Sequence, residues 1–139
     1  VVNGDSLLEL RLSDVIDFHR ARGGIATMAV RPDANVAHYG AVEVDDADRV
    51  RRISGRPSDG QVDGLRSFMF PGLHVLEPSI FDWMEAGEPF GIVKVTYPRL
   101  IAAGEAIYGF ATPARWINID TPDALDRADA TLRNAPFHF

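Results

Sequence analysis

Short apolar segments alternate along the chain with segments of helical spacing, and glycine or proline separates many of them. Residues 25–30 (IATMAV) are mostly apolar, which is typical of a buried strand. Residues 13–22 before them have helical spacing, with Ser13 as the predicted N-cap and Gly23 as the predicted end. Alternating strands and helices are typical of the α/β class. We therefore expect a mixed, mostly parallel sheet with helices on both faces.

The other segments fit this class, and residues 1–139 are long enough for a single domain with its own core. A polar loop at 45–48 between two apolar segments predicts a hairpin. Pro122 predicts the first position of a last helix, capped by Asp120 or Thr121. The remaining predicted elements are strands at 40–44, 49–53, 67–76 (interrupted at Pro71 and Gly72), 106–110 and 116–120, and helices at 78–84, 95–103 and 123–132.

The composition argues against several classes of function. A formal net charge of −6 disfavours nucleic-acid binding, which needs a basic surface. No apolar run reaches the roughly 18 residues of a membrane span, and no segment resembles a secretory signal. We therefore expect no membrane partner and a cytoplasmic location. The absence of cysteine excludes disulfides and thiolate chemistry.

Two predicted strands run into a carboxylate. Residues 1–5 (VVNGD) read as the end of a strand closing on Asp5, and residues 116–120 (WINID) close on Asp120. Ligands of α/β sheets bind beyond the carboxyl ends of strands, and Mg²⁺ takes one or two carboxylates together with phosphate and water oxygens. One interpretation is therefore a divalent-cation site. The other is that Asp5 holds a turn and Asp120 caps the last helix.

Five segments in a fixed order carry a resemblance to a known family. They are VVNGD, HRARGGIATMAV, YGAVEVDDADRVRRISGRP, FPGLHVLEP and WINIDTPDAL followed by DRA. In this order they resemble the sugar-1-phosphate nucleotidylyltransferases, whose motifs include an N-G-D strand end, a Y-G-x-V hairpin, an E-K-P loop and a W-x-D-x-G-T-P close. The general likeness is to the mannose-1-phosphate guanylyltransferase type. The resemblance covers residues 1–132.

The resemblance implies a Rossmann-like nucleotidyltransferase fold that forms a nucleoside diphosphate sugar from a nucleoside triphosphate and a sugar 1-phosphate, with Mg²⁺ as cofactor and pyrophosphate as leaving group. In the family an N-terminal βαβ part with a Gly-rich loop precedes the N-G-D strand. That part is missing from this sequence, so little transferase activity is expected of residues 1–139 alone. The alternative is a non-catalytic module of the same fold that binds sugar phosphate or a partner subunit. The sequence identifies neither sugar nor base, and leaves homo-oligomerisation open.

The resemblance also assigns metal-binding residues. Asp5 matches the first Mg²⁺ ligand of the family and is therefore a predicted catalytic residue. Counting from Trp116 places Asn118 at the second ligand, whereas the chemistry of a negatively charged ligand favours Asp120. Both residues remain candidates.

The same comparison assigns substrate-binding residues. Arg56 stands where the family has the lysine of E-K-P and would bind the sugar phosphate, as the second predicted catalytic residue. The family glutamate of that motif is Gly55 here. The alternative for Arg56 is a solvated loop residue. The other predicted substrate-binding residues are Tyr39, Gly40, Gly72 and Trp116.

Each of these assignments has its own reason and some have a structural alternative. Gly40 would offer its amide to a sugar hydroxyl or simply open a hairpin strand, and Gly72 would make room for the sugar. Trp116 would form a wall of the substrate pocket or belong to the hydrophobic core. The four histidines show no metal-ligand spacing, so we interpret them as structural or surface residues.

Overall fold

The computed structural model of the protein describes residues 1–58, 63–87 and 89–138. The strands in these ranges are β1 (Ser6–Leu8), β2 (Ala26–Val30), β3 (Val42–Val44), β4 (Val50–Ile53), β5 (Arg66–Phe68), β6 (His74–Leu76), β7 (Ile107–Ala111) and β8 (Trp116–Asn118). The α-helices are α1 (Leu12–Arg22), α2 (Val36–Tyr39), α3 (Tyr97–Ala102) and α4 (Pro122–Asn134). A 3₁₀ helix covers Pro78–Trp83, and a π-helical turn, Ile92–Thr96, leads into α3.

The α/β class is confirmed, but the expected predominance of parallel strands is wrong for the described residues. Their strands form three small sheets, ordered β6-β2-β7, β4-β3-β5 and β1-β8. Among these pairings, only β2 with β7 is parallel, and the other four are antiparallel. The alternation of helices and strands does not determine strand direction. The five residues 45–49 between β3 and β4, for example, are too few for the crossover that a parallel pair needs.

Helix α1 ends as predicted and begins differently. Gly23 follows it with a left-handed φ of 65°, and its N–H donates to the carbonyl of His19 at 3.0 Å. Ser13 is not the N-cap, because the helix already begins at Leu12 and Arg11 occupies the cap position without a side-chain hydrogen bond. The Ser13 hydroxyl bonds to the adjacent Asp14 carboxylate instead.

Strand β2 is buried on both faces and organises the core. Met28 and Val30 lie in a cluster with Ile107 and with residues of α3. Ala29, on the opposite face, packs with Val15 of α1. Because side chains alternate along a strand, the two helices cover opposite faces of β2, as expected. Burial of each large apolar side chain in such a core contributes about 2 kcal/mol to the free energy of unfolding.

Two buried histidines have hydrogen-bond partners. The ring of His19 lies 2.9 Å from the Thr27 hydroxyl and 2.9 Å from the Glu77 carboxylate. The ring of His74 lies beside the Tyr97 hydroxyl, and burial lowers its pKa from 6.5 to about 4. These contacts give both histidines the structural role that we inferred for them. In the described part of the chain, no helix has the length and apolar character needed to cross a bilayer.

Candidate functional site

The β1-β8 pair brings the two predicted metal-binding carboxylates together. Its strands are antiparallel, with Ser6 opposite Asn118, and the N–H of Ile119 donates to the carbonyl of Asp5 at 2.9 Å. Asp5 thus precedes β1 at the end where β8 leads to Asp120. The expectation that Asp5 closes a strand is wrong, because Val1 and Val2 are exposed and outside the strands. The acids meet because antiparallel strands place the start of one beside the end of the other.

Both carboxylates line one cleft of about 380 Å³, here called the acidic cleft. Its wall includes Asp5, Asn118 and Asp120 from the β1-β8 end and His38, Tyr39 and Trp116 from the aromatic side. Asp5 and Asp120 are exposed, and Asn118 is half-buried. The geometry therefore assembles five of the predicted site residues, which are 115 positions apart at their extremes, 5 and 120, in one cavity.

The donor set of the acidic cleft fits a hard divalent cation. The carboxylates of Asp5 and Asp120 and the carboxamides of Asn3 and Asn118 offer oxygen ligands, which Mg²⁺ prefers. Within residues 1–58, 63–87 and 89–138, no group of three or more His, Cys, Asp or Glu side chains could hold a metal. A cation here would consequently take its other ligands from phosphate and water, as Mg²⁺ commonly does at phosphate-transfer sites.

Aromatic rings line one side of the acidic cleft, among them those of His38, Tyr39 and Trp116. Tyr39 and Trp116 meet edge to face with ring centroids 5.6 Å apart, and His38 contacts Tyr39 at 5.2 Å. The indole N–H of Trp116 is buried and has no hydrogen-bond partner among the described residues. Trp116 thus lines the acidic cleft, and its predicted role as a wall of the sugar pocket stays a prediction. His38 was missed because its imidazole shows no ligand spacing. Its position directly before the Tyr39-Gly40 motif was the available signal.

Gly72 packs against Asn3, which lines the acidic cleft. It has φ of 94°, and an added Cβ would lie 2.8 Å from the side chain of Asn3. The Asn3 N–H also donates to the Gly72 carbonyl at 2.8 Å, and the Ser6 hydroxyl donates to the carbonyl of Pro71 at 3.1 Å. The missing side chain of Gly72 therefore makes room for Asn3, which lines the cleft. Contact of Gly72 with the sugar itself stays a prediction.

Arg56 lines a second cavity, separate from the acidic cleft. The sequence did not predict that the site residues line two cavities. This basic cleft of about 280 Å³ is formed by Ile53, Ser54, Arg56, Val93 and Lys94. The sequence offered no role for Lys94, although it is the only lysine of the chain.

Gly40 lies at the boundary between the two clefts. Its neighbour Tyr39 lines the acidic cleft, and Ser54, which lines the basic cleft, faces its Cα. Gly40 has φ of 86°, and an added Cβ would lie 2.5 Å from the Ser54 hydroxyl oxygen. The backbone conformation and the close approach both require glycine here. These two features explain the presence of glycine at position 40 on structural grounds. The contact of Gly40 with the sugar stays a prediction.

Comparison with known proteins connects this arrangement to a family. The sequence model of the family described as nucleotidyl transferase matches residues 1–135 of the 139. The chain belongs to the nucleotidyl transferase family. This confirms the family relation that the five sequence segments indicated.

Relatives within the nucleotidyl transferase family act on sugar 1-phosphates, by their names. The chain is 28% identical over 133 residues to mannose-1-phosphate guanylyltransferase of Mycobacterium tuberculosis, covering 95% of this chain and 36% of the relative. It is 26% identical over 121 residues to UTP–glucose-1-phosphate uridylyltransferase of a Synechocystis strain, covering 86% of this chain and 31% of the relative. The chain thus spans about a third of the length of these curated relatives.

Comparison with a solved structure confirms the fold. HddC from Yersinia pseudotuberculosis, in complex with GMP-PN, superposes with a TM-score of 0.70 at 19% identity. The match covers 95% of this chain and 54% of HddC. At this identity the likeness establishes a shared architecture, and it supports the Rossmann-like fold expected of the nucleotidyl transferase family.

Proposed function

We propose that this chain supplies the cation-binding and sugar-phosphate-binding side of a sugar-1-phosphate nucleotidylyltransferase. The observation that carries the proposal is the acidic cleft, in which Asp5 and Asp120 converge beside Tyr39 and Trp116. The names of the relatives, a guanylyltransferase and a uridylyltransferase that use hexose 1-phosphates, support the reaction class. The substrates would be a nucleoside triphosphate and a sugar 1-phosphate, in the cytoplasm.

The proposed reaction is a direct displacement at phosphorus. An oxygen of the sugar 1-phosphate bonds to the α-phosphorus of the triphosphate, the bond from that phosphorus to the bridging oxygen breaks, and pyrophosphate leaves with the electron pair. No side chain becomes covalently attached. The work of the protein is positioning and charge compensation, which together account for most of the rate in reactions of this kind.

Each side chain has one task in this scheme. Asp5, with Asp120 or Asn118, would hold Mg²⁺, and the bound ion would supply charge neutralisation at the phosphate oxygens. Arg56 would bind the sugar phosphate through its planar guanidinium and reduce the repulsion between two anionic substrates. Trp116 and Tyr39 would border the sugar on the aromatic side and keep water from it.

The proposal is tested by pyrophosphate release from a nucleoside triphosphate and a hexose 1-phosphate, measured with the full-length gene product and Mg²⁺. Asp5→Asn is expected to lower kcat by about 100-fold, because it removes a charged ligand without changing the shape of the side chain. Asp17→Asn is the matched control, since Asp17 is an exposed carboxylate of α1 whose ion pair with Arg20 spans 3.9 Å. Its activity should equal that of the wild type.

Two results would argue against the proposal. Unchanged Mg²⁺-dependent turnover in Asp5→Asn would remove the metal role of the acidic cleft. Binding of hexose 1-phosphate without any pyrophosphate release by the wild type would instead favour the alternative of a non-catalytic binding module. Gly55, in place of the family glutamate, and Asn118, in place of a metal-binding aspartate, favour this alternative.

A further inference from the structure

Two cations of the basic cleft stand apart from the other charged residues. Most described arginines form an ion pair with a carboxylate, as Arg22 does with Asp48 and Arg51 with Asp45. Arg56 and Lys94 have no such pair to any described residue, and both are exposed at the same cavity. Among the residues that the structure describes, the cavity therefore presents two positive charges without a paired carboxylate.

The backbone fixes the position of Arg56. Ser54 and Gly55 have φ of 51° and 75°, as in a type I′ turn. The N–H of Ile53 donates to the carbonyl of Arg56 at 2.8 Å, and the N–H of Arg56 donates back at 3.0 Å. Arg56 is thus anchored at the end of a tight turn rather than in a freely moving loop.

The backbone that carries Lys94 is unusual in a different way. Lys94 is the middle residue of the π-helical turn Ile92–Thr96, in which the N–H of Tyr97 bonds to the carbonyl of Ile92. Such turns are rare and occur often at functional sites. Here the turn directs the consecutive residues Val93 and Lys94 to the basic cleft, and α3 behind it packs against β4. The two cations therefore come from two separate backbone elements.

The chemistry of the basic cleft matches a phosphate monoester. A phosphate monoester carries nearly two negative charges at neutral pH, which two cations compensate. Arg56 can bind two of its oxygens side by side, Lys94 can approach as a point charge, and the Ser54 hydroxyl can donate one further hydrogen bond. Ile53 and Val93 supply the apolar part of the lining beside these groups.

We propose that Lys94 is a second phosphate-binding residue, which together with Arg56 holds the phosphate of the sugar 1-phosphate in the basic cleft. The inference rests on the proposed function, which it extends to a residue that no sequence argument had assigned. The sugar attached to this phosphate would extend past Ser54 and Gly40 toward Tyr39 in the acidic cleft.

The test measures binding of four probes to the full-length gene product by isothermal titration calorimetry. The probes are mannose 1-phosphate, glucose 1-phosphate, inorganic phosphate and a neutral free hexose. Lys94→Gln is expected to weaken binding of both sugar phosphates by about tenfold, since it removes one charged partner of the phosphate. Lys94→Arg should restore most of the affinity, and binding of the free hexose should not change.

One further variant and two further measurements extend the test. Arg20→Gln removes an exposed cation of α1 outside both clefts and should bind every probe as the wild type does. In steady-state kinetics, Lys94→Gln should raise KM for the sugar phosphate and leave KM for the nucleoside triphosphate unchanged. Its thermal unfolding curve should match that of the wild type, because Lys94 is exposed.

The outcomes separate this inference from the proposed function. Wild-type affinity for both sugar phosphates in Lys94→Gln, with a loss in Arg56→Gln, would overturn the role of Lys94 alone. A loss for inorganic phosphate but not for the sugar phosphates would also overturn it, because the cleft would then be a site for free phosphate. Failure of the proposed function would appear elsewhere, as unchanged turnover in Asp5→Asn.

Discussion

At the scale of single residues, the acidic cleft presents two candidates for the second metal ligand. Asn118 is opposite Ser6 in the last paired position of β8 and is half-buried, whereas Asp120 is exposed beyond the strand end. Both residues line the cleft, so their positions do not show which one is the ligand. Charge favours Asp120, because a carboxylate attracts a divalent cation far more strongly than an amide oxygen does.

We therefore expect Asp120→Asn to raise the Mg²⁺ concentration for half-maximal activity by about tenfold, a loss of about 1.4 kcal/mol of binding free energy. Asn118→Ala should have a smaller effect, since it removes a neutral ligand. The measurement is a Mg²⁺ titration of pyrophosphate release at saturating substrates. A larger shift in Asn118→Ala than in Asp120→Asn would identify Asn118 as the ligand and contradict the expectation.

At the scale of elements, helix α4 continues directly from the acidic cleft. Thr121 caps it, with its side-chain oxygen accepting from the N–H of Ala124 at 3.2 Å, and Pro122 is the first helical residue. The structure thus selects Thr121 from the two caps that the sequence allowed. Because Asp120 directly precedes the N-cap residue, its backbone position depends on the stability of the first turn of α4.

Thr121→Ala is expected to lower the free energy of unfolding by about 1 kcal/mol, because the N–H of Ala124 loses its partner. Thr121→Ser should retain most of the stability. Thr131→Ala is a matched control within the same helix, since the Thr131 hydroxyl donates to the carbonyl of Arg127 and contributes little to stability. Urea unfolding measures all three. Equal midpoints for Thr121→Ala and the wild type would show that the cap is not stabilising.

Sequence patterns located most elements but not their relative directions. The hairpin of β3 and β4, the buried β2 and the last helix follow from apolar runs, a polar loop and capping residues. Asp5 and Asp120 line one cleft through an antiparallel strand pairing that the sequence did not predict, because such pairing depends on contacts distant in sequence. Their shared role as metal ligands stays a prediction. The position of Lys94 at the basic cleft could not be predicted from sequence patterns, because a π-helical turn has no recognised residue pattern. Pro98 also made the start of the following helix difficult to predict.

At the scale of the whole molecule, the buried pair of His74 and Tyr97 links the stability of the fold to pH. His74 is 3% exposed, and burial lowers its pKa from 6.5 to about 4, so it remains neutral in the folded protein over this range. In the unfolded chain the imidazole binds a proton below pH 6.5. Stability is therefore highest above pH 6.5 and falls as the pH is lowered toward 4.

We expect the free energy of unfolding to fall by up to about 1.4 kcal/mol per pH unit between these values, and about 3 kcal/mol in total. His74→Asn should flatten this dependence, because it keeps a polar partner for Tyr97 without a titrating group. Urea unfolding at several pH values measures it. A slope that persists unchanged in His74→Asn would assign the pH dependence to other groups.

Asp45 of the hairpin does not interfere with this measurement. Burial acts to raise the pKa of its carboxyl, but hydrogen bonds from the Arg49 N–H, the Arg51 side chain and the Ala47 N–H outweigh burial and lower the pKa below 3.8. A depressed carboxyl pKa contributes stability that is fully present above the unfolded carboxyl pKa of 3.8 and is lost as the pH falls from there through the folded pKa. Most of that loss lies below the range in which His74 titrates.

The β1-β8 ribbon pairs with no other strand in the described ranges, and an isolated two-stranded ribbon is only marginally stable. A cation shared by Asp5 and Asp120 would bridge the two strands at the end where they separate. Ion binding and local folding would then favour each other, so that the loaded ribbon opens less often than the empty one. Substrate phosphate would complete the coordination of the ion. It would thereby further stabilise the pairing of β1 and β8, which are distant in sequence.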